Sequence, residues 1–168
     1  MIKAFDGKKP KISESAYICQ MVYILGDVQI GDQSGILPGV VIRGDFAPVR
    51  MGQRTFIEDN CVVHTGSPMM IGDNVIVGHS AVIHGKKIGN NTLIGSNATI
   101  LDNSEIGDYC IIGAGCVVSV GIKIPDRSFV VGVPGKIQCE VKSGSIKRHE
   151  AGVQSYMALL EKYRQAGI

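Results

Sequence analysis

The chain is organised on a period of six. Ile12, Ile18, Ile24, Ile30, Ile36 and Ile42 recur at six-residue steps. The step resumes at Met51, Ile57 and Val63, and again at Ile71, Val77 and Ile83. It then runs through Ile88, Ile94, Ile100, Ile106, Ile112, Val118, Ile124 and Val130. Apart from Met51, every position is Ile or Val. A second column four residues on is small or β-branched, as at Val22, Ser34, Thr55, Cys61, Ala81, Thr92, Cys110 and Cys116. A period of six fits neither an amphipathic helix nor a hairpin meander. It predicts a solenoid in which each hexad is one short strand plus a corner. The large aliphatic fills the interior, and the small residue sits where walls converge. Three hexads close a triangular coil, and neighbouring coils pair as parallel strands.

The tail has a different rhythm. Ile146, His149, Val153, Tyr156 or Met157, Leu160 and Tyr163 follow helical spacing. Ser145 is the expected cap at the start and Gly167 the expected stop. The predicted organisation is therefore a β-solenoid over 1–135 and a helical tail over 136–168, with Pro134–Glu140 as the transition.

Composition sharpens this picture. The 168 residues suit one domain with a short appendage. With 22 Gly, no Trp and 5% aromatics, the core must be narrow and aliphatic. Charged residues at 19% and apolar residues at 45% exclude a disordered chain. A net charge of +2 gives no broad footprint for nucleic acid. No apolar run approaches a membrane span, and the start lacks the apolar stretch of a signal peptide. Five cysteines without CxxC spacing argue against a disulfide framework, so a cytoplasmic protein is expected. Cys61, Cys110 and Cys116 read as small core residues. Cys19 and Cys139 are candidates for reactivity with no supporting neighbour.

The repeat resembles the hexapeptide-repeat proteins over residues 12–135. That resemblance implies a left-handed parallel β-helix, an all-β solenoid here followed by a C-terminal α-helix. It also implies packing as a homotrimer.

The phase of the repeat slips three times. Pro48–Arg50 are inserted before Met51, Met69–Met70 are inserted before Ile71, and one residue is missing before Ile88. Each break follows the third hexad, so all fall at one corner, where solenoid insertions tend to gather on a functional face. Ile42, Val63 and Ile83 are equivalent in successive coils. The residues after them, Arg43, His64 and His84, therefore form an outward column at that corner. Strands about 4.8 Å apart bring the two imidazoles within reach of one tetrahedral Zn2+, whose nitrogen ligands lie roughly 3.3 Å apart. His79, two residues after Val77, belongs to another wall. In a threefold trimer a neighbour's His79 can reach the pair, which makes an intersubunit site of three histidines. The plain alternative is a set of solvated wall histidines. His149 reads as a structural residue of the tail helix, and Lys86-Lys87 as a solvated corner rather than an anion site.

Arg43-Gly-Asp45, Ile57-Glu-Asp-Asn-Cys-Val-Val-His64, Gly78-His79-Ser-Ala-Val-Ile-His84-Gly85 and Val131-Gly-Val-Pro-Gly-Lys136 together resemble the γ-class carbonic anhydrase family. The resemblance implies reversible hydration of CO2 to bicarbonate. It assigns His64, His79 and His84 to a shared Zn2+, alternatively Fe2+ or Co2+, whose role is to supply hydroxide near neutral pH. Arg43 and Asp45 match the family's Arg-x-Asp. Arg43 would hold bicarbonate or, preferably, pair with a carboxylate across the interface. Asp59 matches the family's interface acid and is the candidate partner of Arg43. Glu58 stands where the family usually has Gln. It can take a proton, and it adds negative charge. Tyr156 matches a helix Tyr that can approach the metal, with simple packing as the preferred alternative. Two departures point to slow catalysis. Phe46 replaces a Glu of the founding type, and the link His64-Thr-Gly-Ser-Pro-Met-Met70 lacks the acidic proton-shuttle loop. Competing readings are an acyltransferase or thioesterase acting on coenzyme A thioesters, which needs one histidine, and a non-catalytic metal-binding relative.

Overall fold

The computed structural model describes residues 1–167. It is a left-handed parallel β-helix of about seven turns with one long helix. Three walls carry the strands. The first stacks Tyr17–Ile18, Gly35–Ile36, Phe56–Ile57, Ile76–Val77, Leu93–Ile94, Ile111–Ile112 and Ser128–Val131 in parallel register. The second carries Val62–His64, Val82–Ile83, Thr99–Ile100 and Val117–Val118. The third carries Met69–Ile71, Lys87–Ile88, Glu105–Ile106 and Lys123–Ile124. Tyr23–Ile30 and Val41–Met51 are longer and run from the second wall round into the third. The phase breaks fall at this same corner.

The hexad column is the core. Every member from Ile24 to Val130 is buried, and Ile12 and Ile18 at the open end are partly so. These β-branched residues suit strands, and each fully buried Ile or Val contributes about 1.5–3 kcal/mol of transfer free energy. The small column is polar where it can reach backbone. Thr55 Oγ1 donates to the Gly72 carbonyl (2.8 Å), Thr92 Oγ1 to that of Gly107 (3.0 Å), and Cys61 Sγ to that of Gly78 (3.1 Å). Hydroxyls and thiols thus stitch one coil to the next inside the core. Corners turn through left-handed residues, among them Asn60, Asn74, Asn91, Asn97 and Asn103. Asn tolerates that conformation better than most residues.

Two strands lie outside the hexad pattern. Ile2–Lys3 extends the second wall, with Ile2 opposite Ile24. Lys136–Glu140, expected only as a transition, pairs antiparallel with Ser128–Val131 and closes the far end of the first wall. The helix α1 spans Ser143–Ala166 and starts two residues before the expected Ser145. Lys142 occupies the cap position without a side-chain bond, and Ser145 Oγ instead accepts from Arg148 (3.1 Å). Gly167 stops the helix in the left-handed conformation, as its position predicts. The helix lies on the first wall. Val153 and Leu160 pack on Tyr17, Leu37, Phe56 and Ile76, and Phe56 stacks on Tyr156 with centroids 5.1 Å apart. A Cβ on Gly35 would sit 2.5 Å from Leu160 Cδ1, so the missing side chain makes room for the helix. Among the described residues no helix is long and apolar enough to cross a membrane.

Candidate metal centre

His64 and His84 meet across adjacent coils of the second wall. Val63 is opposite Ile83, so the following residues share a column, and Arg43 is the register partner of His64. His64 Nδ1 and His84 Nε2 are 3.2 Å apart. Each ring uses its other nitrogen on a carboxylate. His64 Nε2 lies 3.1 Å from Asp45 Oδ1, and His84 Nδ1 lies 2.9 Å from Asp102 Oδ1. An ionised carboxylate only accepts, so both outer nitrogens carry the hydrogen. The two inner nitrogens are then bare lone pairs aimed at one another. A cation between them would satisfy both lone pairs, and 3.2 Å is close to the spacing of two nitrogen ligands on a tetrahedral ion. The donor set therefore fits a divalent metal of the zinc type.

The strand Val41–Met51 supplies the flank. Arg43 and Asp45 are two residues apart and share its outward face. Gly44 lies between them because the chain bends close to the preceding coil, where a Cβ would meet the Asp27 carbonyl at 2.5 Å. Arg43 Nη1 donates to Asp45 Oδ2 (2.9 Å). Burial alone would raise the Asp45 carboxyl. Backbone N–H groups, its own and that of Phe46, and the Arg43 guanidinium outweigh it and hold Asp45 below its ordinary range. Burial, aided by Arg43, pushes His64 below the ordinary imidazole value, against the pull of Asp45. His64 is thus kept neutral, as a metal ligand must be. Phe46 projects outward at 78% exposure and meets the His64 ring edge-on, with centroids 5.7 Å apart.

His79 lies elsewhere, at the end of the first wall. Its Nε2 is 2.9 Å from Glu58 Oε2 and its Nδ1 is 2.9 Å from Asp59 Oδ2, and the side chain is 56% exposed. Glu58 is 7% exposed and accepts from the His79 backbone N–H (3.1 Å) and from the Tyr156 hydroxyl. Burial and Glu58 push the Tyr156 phenol well above its ordinary range, so it is a hydrogen donor here. Tyr156 packs on Phe56 and also donates to Glu58. Within one chain Arg43 pairs with Asp45, not Asp59, and Asp59 faces His79.

The seven candidate side chains and Tyr156 thus fall into two clusters. One holds Arg43, Asp45, His64 and His84. The other holds Glu58, Asp59, His79 and Tyr156. Among the described residues no three metal-ligating side chains of one chain converge on a single point. Sequence reasoning missed Asp102, which lies a full coil beyond His84. Its signal was available in the solenoid register, which sets Ile83 against Ile100.

Fold and site together define a hexapeptide-repeat β-helix with paired, carboxylate-backed imidazoles at one corner. The family described as "Bacterial transferase hexapeptide (six repeats)" matches residues 85–119. A probable carbonic anhydrase of Methanocaldococcus jannaschii is 44% identical over 158 residues, which covers 91% of this chain and 99% of that protein. A carbonic anhydrase of Geobacillus kaustophilus is 44% identical over 77 residues, 45% of this chain and 42% of that protein. The crystal structure of a Bacillus cereus protein, described provisionally as an acetyltransferase, superposes with a TM-score of 0.95 at 37% identity, covering 98% of this chain and 97% of that one. A hexapeptide transferase family protein of Anaplasma phagocytophilum gives 0.92 at 30% identity, covering 96% and 97%. The chain belongs to the γ-class carbonic anhydrase-like family of hexapeptide-repeat proteins.

Proposed function

We propose that the protein is a metal-dependent γ-carbonic anhydrase-like enzyme that interconverts CO2 and bicarbonate. It works as a homotrimer in which His64 and His84 of one copy and His79 of the next, released from one of its two carboxylates, hold Zn2+, with Fe2+ or Co2+ as alternatives. The observation that carries this reading is the pair of imidazole nitrogens 3.2 Å apart, each ring with its other nitrogen on a carboxylate. A divalent cation at that point supplies the Lewis acid that makes water a nucleophile near neutral pH.

The chain's own residues do the rest. Asp45 and Asp102 hold the two rings in register. Arg43 is occupied by Asp45 and stiffens that flank instead of binding bicarbonate within its own chain. Hydration of CO2 releases one proton, and Glu58 is the acceptor within reach of His79. Tyr156 holds Glu58 in place by donating to its other oxygen. Beyond Glu58 no acidic side chain lies in the link after His64, where Thr65 Oγ1 instead closes a compact turn on the Ser67 carbonyl (2.6 Å). Proton export is therefore the slow step, and turnover is low for the family. Five free thiols suit a reducing compartment, which supports a cytoplasmic assignment.

The test is stopped-flow CO2 hydration by protein reconstituted with Zn2+ or Fe2+, beside His79→Ala. Turnover that disappears in the variant supports the proposal. One metal per subunit without turnover overturns the anhydrase reading. The Bacillus cereus structure described provisionally as an acetyltransferase keeps a second reading alive, namely acyl transfer from coenzyme A thioesters. Thioester turnover that survives metal removal would select it.

A further inference from the structure

We infer that Asp102 is a positioning residue that holds His84 in the tautomer with hydrogen on Nδ1 and so aims a bare Nε2 at His64. Its bearing on metal binding rests on the function proposed above, whereas the tautomer is a property of the chain itself. Asp102 Oδ1 is 2.9 Å from His84 Nδ1. The contact is built by the solenoid. His84 donates its backbone N–H to the Ile100 carbonyl (2.8 Å), and Asp102 accepts the Gly121 N–H on its own carbonyl (2.8 Å). Both residues are thus pinned by coil-to-coil bonds, and Asn103 turns the chain away through a left-handed conformation. Asp102 has no other ion-pair partner among the described residues.

The arrangement mirrors Asp45 on His64. One carboxylate stands behind each ring, and the two bare nitrogens face inward. Such an outer-nitrogen carboxylate fixes ring orientation and raises the basicity of the inner nitrogen. Without Asp102 the His84 proton is free to move to Nε2, where it would point at His64 and occupy the ligand position.

The experiment uses the full-length protein labelled with 15N-histidine, whose four histidines keep the spectrum simple. Long-range 1H–15N spectra are recorded without metal at about pH 8, above the ordinary imidazole range. Zn2+ affinity is measured in parallel by competition with a chromophoric chelator. His84 is expected as the Nδ1–H tautomer in the parent protein. Asp102→Ala is expected to shift it toward Nε2–H and to lower Zn2+ affinity about 10–100-fold, with both effects reversed in part by Asp102→Glu. Unchanged His149 signals report an intact fold. Nε2–H in the parent protein, or a tautomer that Asp102→Ala does not move, overturns the inference. A shifted tautomer with unchanged Zn2+ affinity overturns the role of Asp102 in binding. A parent protein with the expected tautomer but no affinity for Zn2+ sinks the metal-site reading and leaves the hold of Asp102 on His84 standing.

Discussion

The family resemblance sets Glu58 at a position where Gln is usual. It is a buried carboxylate satisfied by three neighbours: the His79 ring, the His79 backbone N–H and the Tyr156 hydroxyl. A carboxylate in place of Gln keeps one more negative charge beside the proposed cation. Negative charge there opposes loss of a proton from bound water. Glu58→Gln is therefore expected to move the midpoint of the pH–rate profile for CO2 hydration to lower pH. The same variant should lower the plateau rate, because Gln cannot take the proton. A midpoint that stays put would remove Glu58 from the site. The cysteines give a second test at this scale. Burial pushes the Cys61 thiol up to about 11, and burial also raises Cys110 and Cys116. Thiolate is the reactive form. Labelling with a maleimide at neutral pH should modify exposed Cys139 and leave these three intact until the protein is unfolded, which mass spectrometry of the native adduct would show.

At the scale of elements, the long helix is what ties the tail to the site. Its docking rests on Val153 and Leu160 and also on His149, which donates from Nε2 to the Asn74 carbonyl (2.7 Å) at a corner of the solenoid. His149 Nδ1 is buried without a partner among the described residues. Burial holds His149 below its ordinary value of 6.5, more than the Asn74 carbonyl and Glu150 raise it. Arg54 and Glu150 are the charged groups beside it. Because the folded value is depressed, the unfolded chain binds the proton first. The stability from neutral His149 is complete above pH 6.5 and is lost as pH falls below that toward the folded value. Melting temperature between about pH 7 and pH 5 should therefore fall more steeply for the parent protein than for His149→Gln, whose amide can still donate to Asn74. His64 carries the same sign, so some acid sensitivity will survive in the variant. Equal slopes would show that the helix does not respond to His149.

For the whole molecule, the coil geometry explains what a reader of the sequence can and cannot see. The β-helix was legible because one aliphatic column carries the core, and a period of six has no other good solution. The His64–His84 contact was legible for the same reason, since equal position in successive coils means neighbours in space. Ile2–Lys3 and Lys136–Glu140 escaped because they pair at the two ends, where no hexad precedes or follows to mark them. Asp102 escaped because its own motif neighbours say nothing; only the register brings it to His84. Within one chain the Arg43 guanidinium goes to Asp45, an i, i+2 neighbour on the same strand that the motif match did not single out as its partner. The two clusters of one chain lie apart, on different walls. Val62 and Val82 stand outward on the second wall at 38% exposure each, beside the His64–His84 column. If a second copy covers this wall and brings its His79 to the pair, then placing a charge there must separate subunits and metal affinity together. Val82→Arg is expected to convert the proposed trimer to monomer in light-scattering measurements and to weaken Zn2+ binding at the same protein concentration. It touches no proposed ligand, and its outward position leaves the core of the coil intact. Binding that stays tight in a monomeric variant would mean that one chain completes the site alone, and the intersubunit reading would have to be abandoned.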